Sequence, residues 1–326
     1  MEFSKILEIA SNFRESRVLL TGVELDIFTL LSKKAMSLEE ICNSLDSDRR
    51  SAQYLLDALT AMNFLVKNEG KYATVPEISR YLSKDSEECI LPILQHSAFL
   101  WQRWGQLTDI VKGKKITIKP VDEMSPEQLR AFIFGMHVLA LRASKKLLEK
   151  LGPVSFKKML DVGGATGTYT EAFLRINPEM RGTIFDLPPV IELAKERLKN
   201  SPYLPRIDFV SGDFYKDDLP QGYDFIWLSA VIHQNSREQN VELYKKCYKS
   251  LESGGVVWIR DYVMSTDRTY PKAGALFAIN MLVGTQSGGT YTFEEIEEDL
   301  KMAGFKNARY RLKGEQMDTI VEAVKE

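Results

Sequence analysis

The chain has 326 residues, 44% of them hydrophobic and 27% charged, an ordinary globular composition with enough length for two domains and a sizeable core. Lys and Arg number 43 against 45 Asp and Glu, and the net charge of −2 excludes a global field for polyanions. The three cysteines, Cys42, Cys89 and Cys247, are far apart and show no metal-ligand spacing, and no apolar run approaches the ~20 residues that a membrane span needs.

The opening segment MEFSKILEIASNF reads as helix rather than signal peptide, because Glu2 and Glu8 interrupt it. Together with the cysteine usage this gives a cytoplasmic expectation. Residues 1–110 read as one mostly helical domain. SLEEICNSL opens with a capping box, Ser37 followed by Glu40, and DRRSAQYLLDALTAMN sets Ala52, Leu55, Leu56, Leu59 and Met62 on one helical stripe. FLVKNEGKYATV then alternates around a turn and predicts a hairpin.

Helix, turn, helix, hairpin is the winged-helix order, so DNA binding has to be weighed. Arg49 and Arg50 are offset by Asp48 and Asp57, and Lys67 and Lys71 by Glu69, whereas a groove reader needs a basic face. The balance favours a packing or dimerisation module that binds no nucleic acid. In HSAFLWQRWGQL, Phe99, Trp101 and Trp104 fall close together on a helix; core is the plainer expectation and a pocket wall the alternative. IVKGKKITIKPVDEMSPEQL has the Gly, Lys and Pro content of a connector, and the second domain is taken as residues 125–326.

From residue 155 short apolar runs alternate with helical stretches. FKKMLDVG, GTIFDL, IDFVSGDF, YDFIWLSAV and GGVVWIRDYV predict an α/β fold, a parallel sheet covered by helices on both faces. The tail offers two further strands joined near Gly314, with no room for a crossover helix, so they should pair antiparallel.

MLDVGGATGTYTEAF is the first strand-to-helix junction, with Asp161, Gly163 and Gly164 at the strand end. Glycines there let backbone approach a ligand at a helix N-terminus. The dinucleotide spacing GxGxxG is not met, since the positions counted from Gly163 hold Gly163, Ala165 and Thr168. Asp186, followed by Leu187, ends the second strand, where a carboxylate can accept two ribose hydroxyls. Asp213, between Gly212 and Phe214, follows the third and suits an adenine amino group. Acids after successive strands on one edge favour a nucleoside site. In SAVIHQNSREQN the apolar strand stops at His233, on that same edge. By position alone a structural and a functional histidine both remain open.

DVGGATG, FDLP, GDF, SAVIHQNSREQN, GGVVWIRDYV and ALFAINMLVGTQSGGTYTFEEIEEDLKMAGF occur in the order and near the spacing of one family. Over nearly its whole length the chain resembles the S-adenosylmethionine (SAM)-dependent O-methyltransferases that include caffeic acid and acetylserotonin O-methyltransferases and bacterial tailoring enzymes. The resemblance implies a Rossmann-like seven-stranded sheet with the last strand antiparallel, an N-terminal winged-helix-like dimerisation domain and a homodimer. It implies SAM as cofactor, S-adenosylhomocysteine as product and no metal.

It also implies that His233 is the general base for an acceptor hydroxyl, oriented by Asp261 where the family carries a glutamate. The family's aspartate after the histidine is Gln234 here, and its second supporting glutamate is Thr290. Ser229 stands where many members have a basic residue near the cofactor. Met136, His137, Phe277, Asn280 and Met281 match regions that line the acceptor site, although taken alone they read as helix-stripe core. Two other classes stay open: a SAM-binding member that has lost or redirected methyl transfer, and a winged-helix regulator with a ligand-sensing domain.

Overall fold

The structure, a computed structural model, describes residues 2–114, 118 and 121–326. The chain divides into two compact units, one of Met1–Gln102 with Arg130–Gly135 and one of Arg103–Leu129 with Met136–Glu326. The centre of the expected connector, residues 115–117 and 119–120, lies outside the described residues. Among the described residues no helix is long and apolar enough to cross a membrane.

The first unit follows the expected order. Ser37 and Glu40 form the capping box that starts the helix Leu38–Leu45. The next helix, Arg49–Ala61, buries Ala52, Leu56 and Leu59, the centre of the predicted stripe. The hairpin pairs Leu65–Asn68 with Lys71–Thr74 through Glu69 and Gly70, both at positive φ (49° and 76°). That is the left-handed pair a two-residue hairpin loop requires. Asp57 accepts hydrogen bonds from Lys67 Nζ and Tyr72 Oη, each at 2.7 Å, so the hairpin's lysine is already paired within the unit. The N-terminal helix Phe3–Ser11 buries none of its residues, and Phe3 is 77% exposed.

One expectation is corrected here. Phe99 and Trp104 are exposed and Trp101 is half-buried, so these aromatics are not core. Their helix, Leu91–Trp104, turns Leu91, Leu94 and Ala98 inward, and the aromatics fall beside that stripe.

The second unit is built on seven strands: β1 (Lys158–Val162), β2 (Arg181–Asp186), β3 (Ile207–Ser211), β4 (Tyr223–Ser229), β5 (Leu251–Asp261), β6 (Lys306–Leu312) and β7 (Thr319–Val324). They lie in the order β3-β2-β1-β4-β5-β7-β6, with β7 antiparallel to both its neighbours. Helices α1 (Thr168–Ile176), α2 (Pro188–Leu198), α3 (Arg237–Ser250), α4 (Lys272–Gly284) and α5 (Phe293–Met302) follow in chain order.

The two sheet faces carry separate cores. Leu160, Leu228, Val257 and Ile259 pack with Leu243 and Tyr244 of α3 and Leu300 of α5 on one side. Met159, Trp227 and Trp258 pack with Phe173 of α1 on the other. Burial on both faces accounts for the near-continuous apolar runs in these strands. Between β1 and β4 the strand order reverses, and ligands of open α/β sheets bind outside the carboxyl ends at such a point.

Candidate functional site

Five strand ends supply the side chains gathered at this edge. After β1 the chain turns through Gly163 (φ 68°), Ala165 (φ 48°) and Gly167 (φ 71°) before α1 begins. A Cβ on Gly163 would meet Val231 Cγ2 at 2.8 Å, and one on Gly164 would meet Asp161 Cγ at 2.8 Å. Only glycine lets this turn lie so close beneath its neighbours.

Asp161 is one residue inside β1 and buried, and its Oδ2 accepts Thr170 Oγ1 at 2.6 Å, which ties α1 to the strand. Burial pushes its carboxyl up to about 7; the Thr170 hydroxyl opposes this and nearby Asp186 adds to it. Asp186 ends β2 half-buried. Its two oxygens accept the backbone N–H groups of Ala165 and Leu187, each at 2.8 Å, and burial holds its carboxyl at about 6. A carboxylate offers about four acceptor positions, so two remain for a ligand.

Gly212 is buried against the Phe185 ring, where a Cβ would come within 2.5 Å. Asp213 accepts Tyr215 N at 2.9 Å and pairs with Lys216 at 2.8 Å. Burial opposes the net lowering of its carboxyl, which the Lys216 and Tyr215 bonds produce. Phe214 lies against Tyr215, with ring centroids 4.6 Å apart.

At the end of β4 the chain reaches His233 in a single turn, Ile232–Gln234. Its Nδ1 stands 3.0 and 2.9 Å from the two oxygens of Asp261, the last residue of β5, and Asp261 is 1% exposed. An ionised carboxylate only accepts, so Nδ1–H donates, and in the neutral imidazole Nε2 then carries the lone pair. The ring packs edge-on against Phe277 of α4 at 4.8 Å. Gly289 N–H donates to His233 O at 2.9 Å, and a Cβ on Gly288 would lie only 2.3 Å from that oxygen.

Thr290 is buried, and its carbonyl accepts Arg268 Nη1. Among the described residues no hydrogen bond joins its hydroxyl to the imidazole. Tyr262 packs against Phe277, with ring centroids 5.1 Å apart. Asn280 accepts the Trp104 indole N–H at 3.0 Å, Met281 is buried and Met136 half-buried.

His137 turns toward the glycine-rich turn. Its Nδ1 is 2.7 Å from Thr168 Oγ1, which in turn is 2.9 Å from Thr166 Oγ1. Burial, with Arg197 adding, lowers its pKa to about 4 and keeps it neutral near pH 7. Ser229 Oγ accepts Arg260 Nη1 at 2.9 Å. Among the described residues no group of three or more His, Cys, Asp or Glu could hold a metal ion.

Several participants escaped the sequence reading. Tyr215 Oη donates to Asn235 Oδ1 at 2.5 Å, tying the loop after β3 to the histidine loop, and Tyr291 Oη donates to Asn235 O. No spacing rule announces such pairs. Arg260 did have a signal, a basic residue next to Asp261 inside the otherwise apolar run VVWIRDYV.

Residues 113–306 match the family model of the O-methyltransferase domain, and residues 7–84 match that of the O-methyltransferase dimerisation domain. The chain belongs to the O-methyltransferase family. With that membership comes its cofactor: the protein is an S-adenosylmethionine-dependent O-methyltransferase. It is 29% identical to 3-hydroxy-5-methyl-1-naphthoate 3-O-methyltransferase of Streptomyces sahachiroi, over 93% of this chain and 90% of that one. It is 30% identical to acetylserotonin O-methyltransferase of Gallus gallus, over 97% and 96%. Its fold is that of a solved structure of PigF with S-adenosylhomocysteine, at a TM-score of 0.89 and 24% identity over the full length of both chains.

The buried acid generates a stability prediction for the methyltransferase. A carboxyl held above its ordinary value carries more proton folded than unfolded, so its stabilising contribution is complete below the unfolded value of 3.8 and is lost as pH rises toward 7. Asp161→Asn removes that loss. Relative to wild type the variant should gain about 3 kcal/mol between pH 5 and pH 8, a few degrees in Tm. Calorimetry of the ligand-free protein at the two pH values checks this, and an equal Tm difference at both would contradict it.

Proposed function

We propose that this methyltransferase transfers its methyl group to a hydroxyl of a small aromatic, polyketide or quinone-like molecule, with His233 as general base. The observation that carries the reading is the imidazole held by both oxygens of a buried carboxylate, Asp261, on the cofactor edge of the sheet. SAM supplies a methyl on positively charged sulfur, which needs no metal to activate it.

The residues present suit that cofactor. Gly163 and Gly164 let the turn pack tightly at the strand end where backbone can approach a ligand, Asp186 has acceptor positions left for ribose hydroxyls, and Asp213 and Phe214 suit adenine. Leu187 adds apolar surface beside the ribose acid.

His233 takes the acceptor's proton at Nε2 while Asp261 holds Nδ1–H and balances the cation that forms. A phenol near pKa 10 and an imidazole near 6.5 exchange a proton usefully around neutrality. Phe277 and Tyr262 place aromatic surface beside the ring, and the name of the hydroxynaphthoate methylating relative fits an aromatic acceptor. Met136, Asn280 and Met281 remain candidate pocket residues, and His137 steadies the cofactor turn through Thr168. The intact His233–Asp261 pair speaks against a member that has lost methyl transfer.

Replacing His233 with Gln keeps the size and removes the base. Turnover on the best of a panel of phenols and hydroxyquinones should fall on the order of 10²–10⁴-fold. SAM affinity by calorimetry should hardly change, and the acidic limb of the pH–rate profile should vanish. Near-full turnover with the same limb would make the histidine structural.

The dimerisation domain carries a second proposal, that the protein is a homodimer built through residues 1–110. Phe3, Ile6, Leu7, Ile9 and Phe13 are all exposed on the first helix and its continuation, and a contiguous apolar patch marks an interface. Light scattering at micromolar concentration should give twice the 37.2 kDa chain mass, and Leu7→Asp with Phe13→Asp should lower it. A monomeric wild type would overturn the assignment.

A further inference from the structure

Beside the glycine-rich turn lies a group of buried polar side chains that the methyl-transfer reading leaves without a task. Arg260, on β5, is 8% exposed, and among the described residues no carboxylate pairs with its guanidinium. Its Nη1 donates to Ser229 Oγ, its guanidinium lies 5.0 Å from the Tyr169 ring centroid, and its Nε has no hydrogen-bond partner. Tyr169 Oη and Trp227 Nε1 are likewise buried without partners, and the two rings are 5.2 Å apart. Three of the six unpartnered buried polar atoms among the described residues therefore fall in one cluster. Native proteins leave few such groups, and a concentration of donors around an unpaired arginine is the composition of an anion site.

Position narrows the anion. Side chains alternate along a strand. Trp258 and Arg260 therefore share the face that carries Trp227 and Tyr169, while Ile259 and Asp261 share the other. His233 pairs with Asp261, so the guanidinium belongs to the opposite side of β5 from the proton-accepting pair. Ser229 is its register partner on β4, and Tyr169 is the second residue of α1, so the cluster sits between the glycine turn and the end of β4. Two carboxyls act on Tyr169: Asp161, bonded to Thr170, and Asp318, 3.6 Å from Lys150. An arginine with acids nearby suits a ligand end that bears a carboxylate and an ammonium together.

We propose that Arg260, with Ser229, Tyr169 and Trp227, binds the carboxylate at the amino-acid end of the methyl donor. Arg260 thereby supplies from β5 the positive charge that position 229 on β4 lacks. The inference rests on the SAM reading above and assigns a cluster which that reading does not use.

The test compares two ligands of one nucleoside site by calorimetry: S-adenosylhomocysteine, which has the amino-acid end, and 5′-methylthioadenosine, which lacks it. Wild type should bind both, S-adenosylhomocysteine the more tightly. Arg260→Gln should lose about 10- to 100-fold for S-adenosylhomocysteine, the range of a charge-assisted hydrogen bond, and little for 5′-methylthioadenosine. Arg260→Lys should recover part of the loss. Tyr169→Phe, which keeps the ring, should show a smaller loss of the same selectivity and serves if Arg260→Gln fails to fold. Equal losses for the two ligands, or no loss in either variant, would overturn the carboxylate site while leaving the cofactor reading intact. A wild type that binds neither ligand would overturn the cofactor reading itself.

Discussion

The arrangement depends on how His233 is held. Its side chain is fixed by the carboxylate of Asp261 and its main chain by the Gly289 N–H, so two segments far apart in sequence determine where Nε2 points. Gly288 makes the second contact possible, because any side chain there would run into His233 O. The ring itself is held by Asp261 and packed edge-on against Phe277, while the main-chain contact fixes the loop that carries it. The imidazole is thereby pre-organised, and alignment of acceptor with donor is where most of the rate gain of such a reaction can arise. Thr290, the residue after Gly289, makes no hydrogen bond to the ring among the described residues, which leaves Asp261 as the carboxylate that touches it.

The same edge of the sheet concentrates buried acids. Asp161 and Asp186 stand at the ends of neighbouring strands, and desolvation raises both carboxyls, although Asp161 is buried and Asp186 half-buried. The reversal of strand order between β1 and β4 opens the space they border. Glycines at 163, 164 and 212 let backbone and ring packing close around it. Stability is thus given up at the edge where ligands bind, a common cost of pre-organised sites.

Much of this was legible from residues. The apolar runs located β1, β2, β4 and β5 because burial on both faces leaves no alternation to misread, and the turn near Gly314 announced the antiparallel end. Asp186 and His233 stood out as candidates because polar residues ending apolar strands have few structural reasons to be there. Phe99 and Trp104 misled, since aromatic spacing on a helix does not say which stripe faces inward. His137 was matched to the acceptor region, yet its imidazole meets Thr168 across 31 residues of sequence. Tyr215 with Asn235, and Arg260 with Ser229, join neighbours in space whose pairing depends on register and rotamer, which no spacing in one chain encodes.

The central claim is that Asp261 fixes His233 as the Nδ1–H tautomer and leaves Nε2 as the base. Nitrogen-15 NMR of the histidine-labelled enzyme near pH 8, with His233 assigned by its Gln variant, measures this directly. The account predicts a protonated Nδ1 and an unprotonated Nε2 in wild type, with the two forms mixing in Asp261→Asn. A neutral His233 that carries its proton on Nε2 in wild type would contradict it.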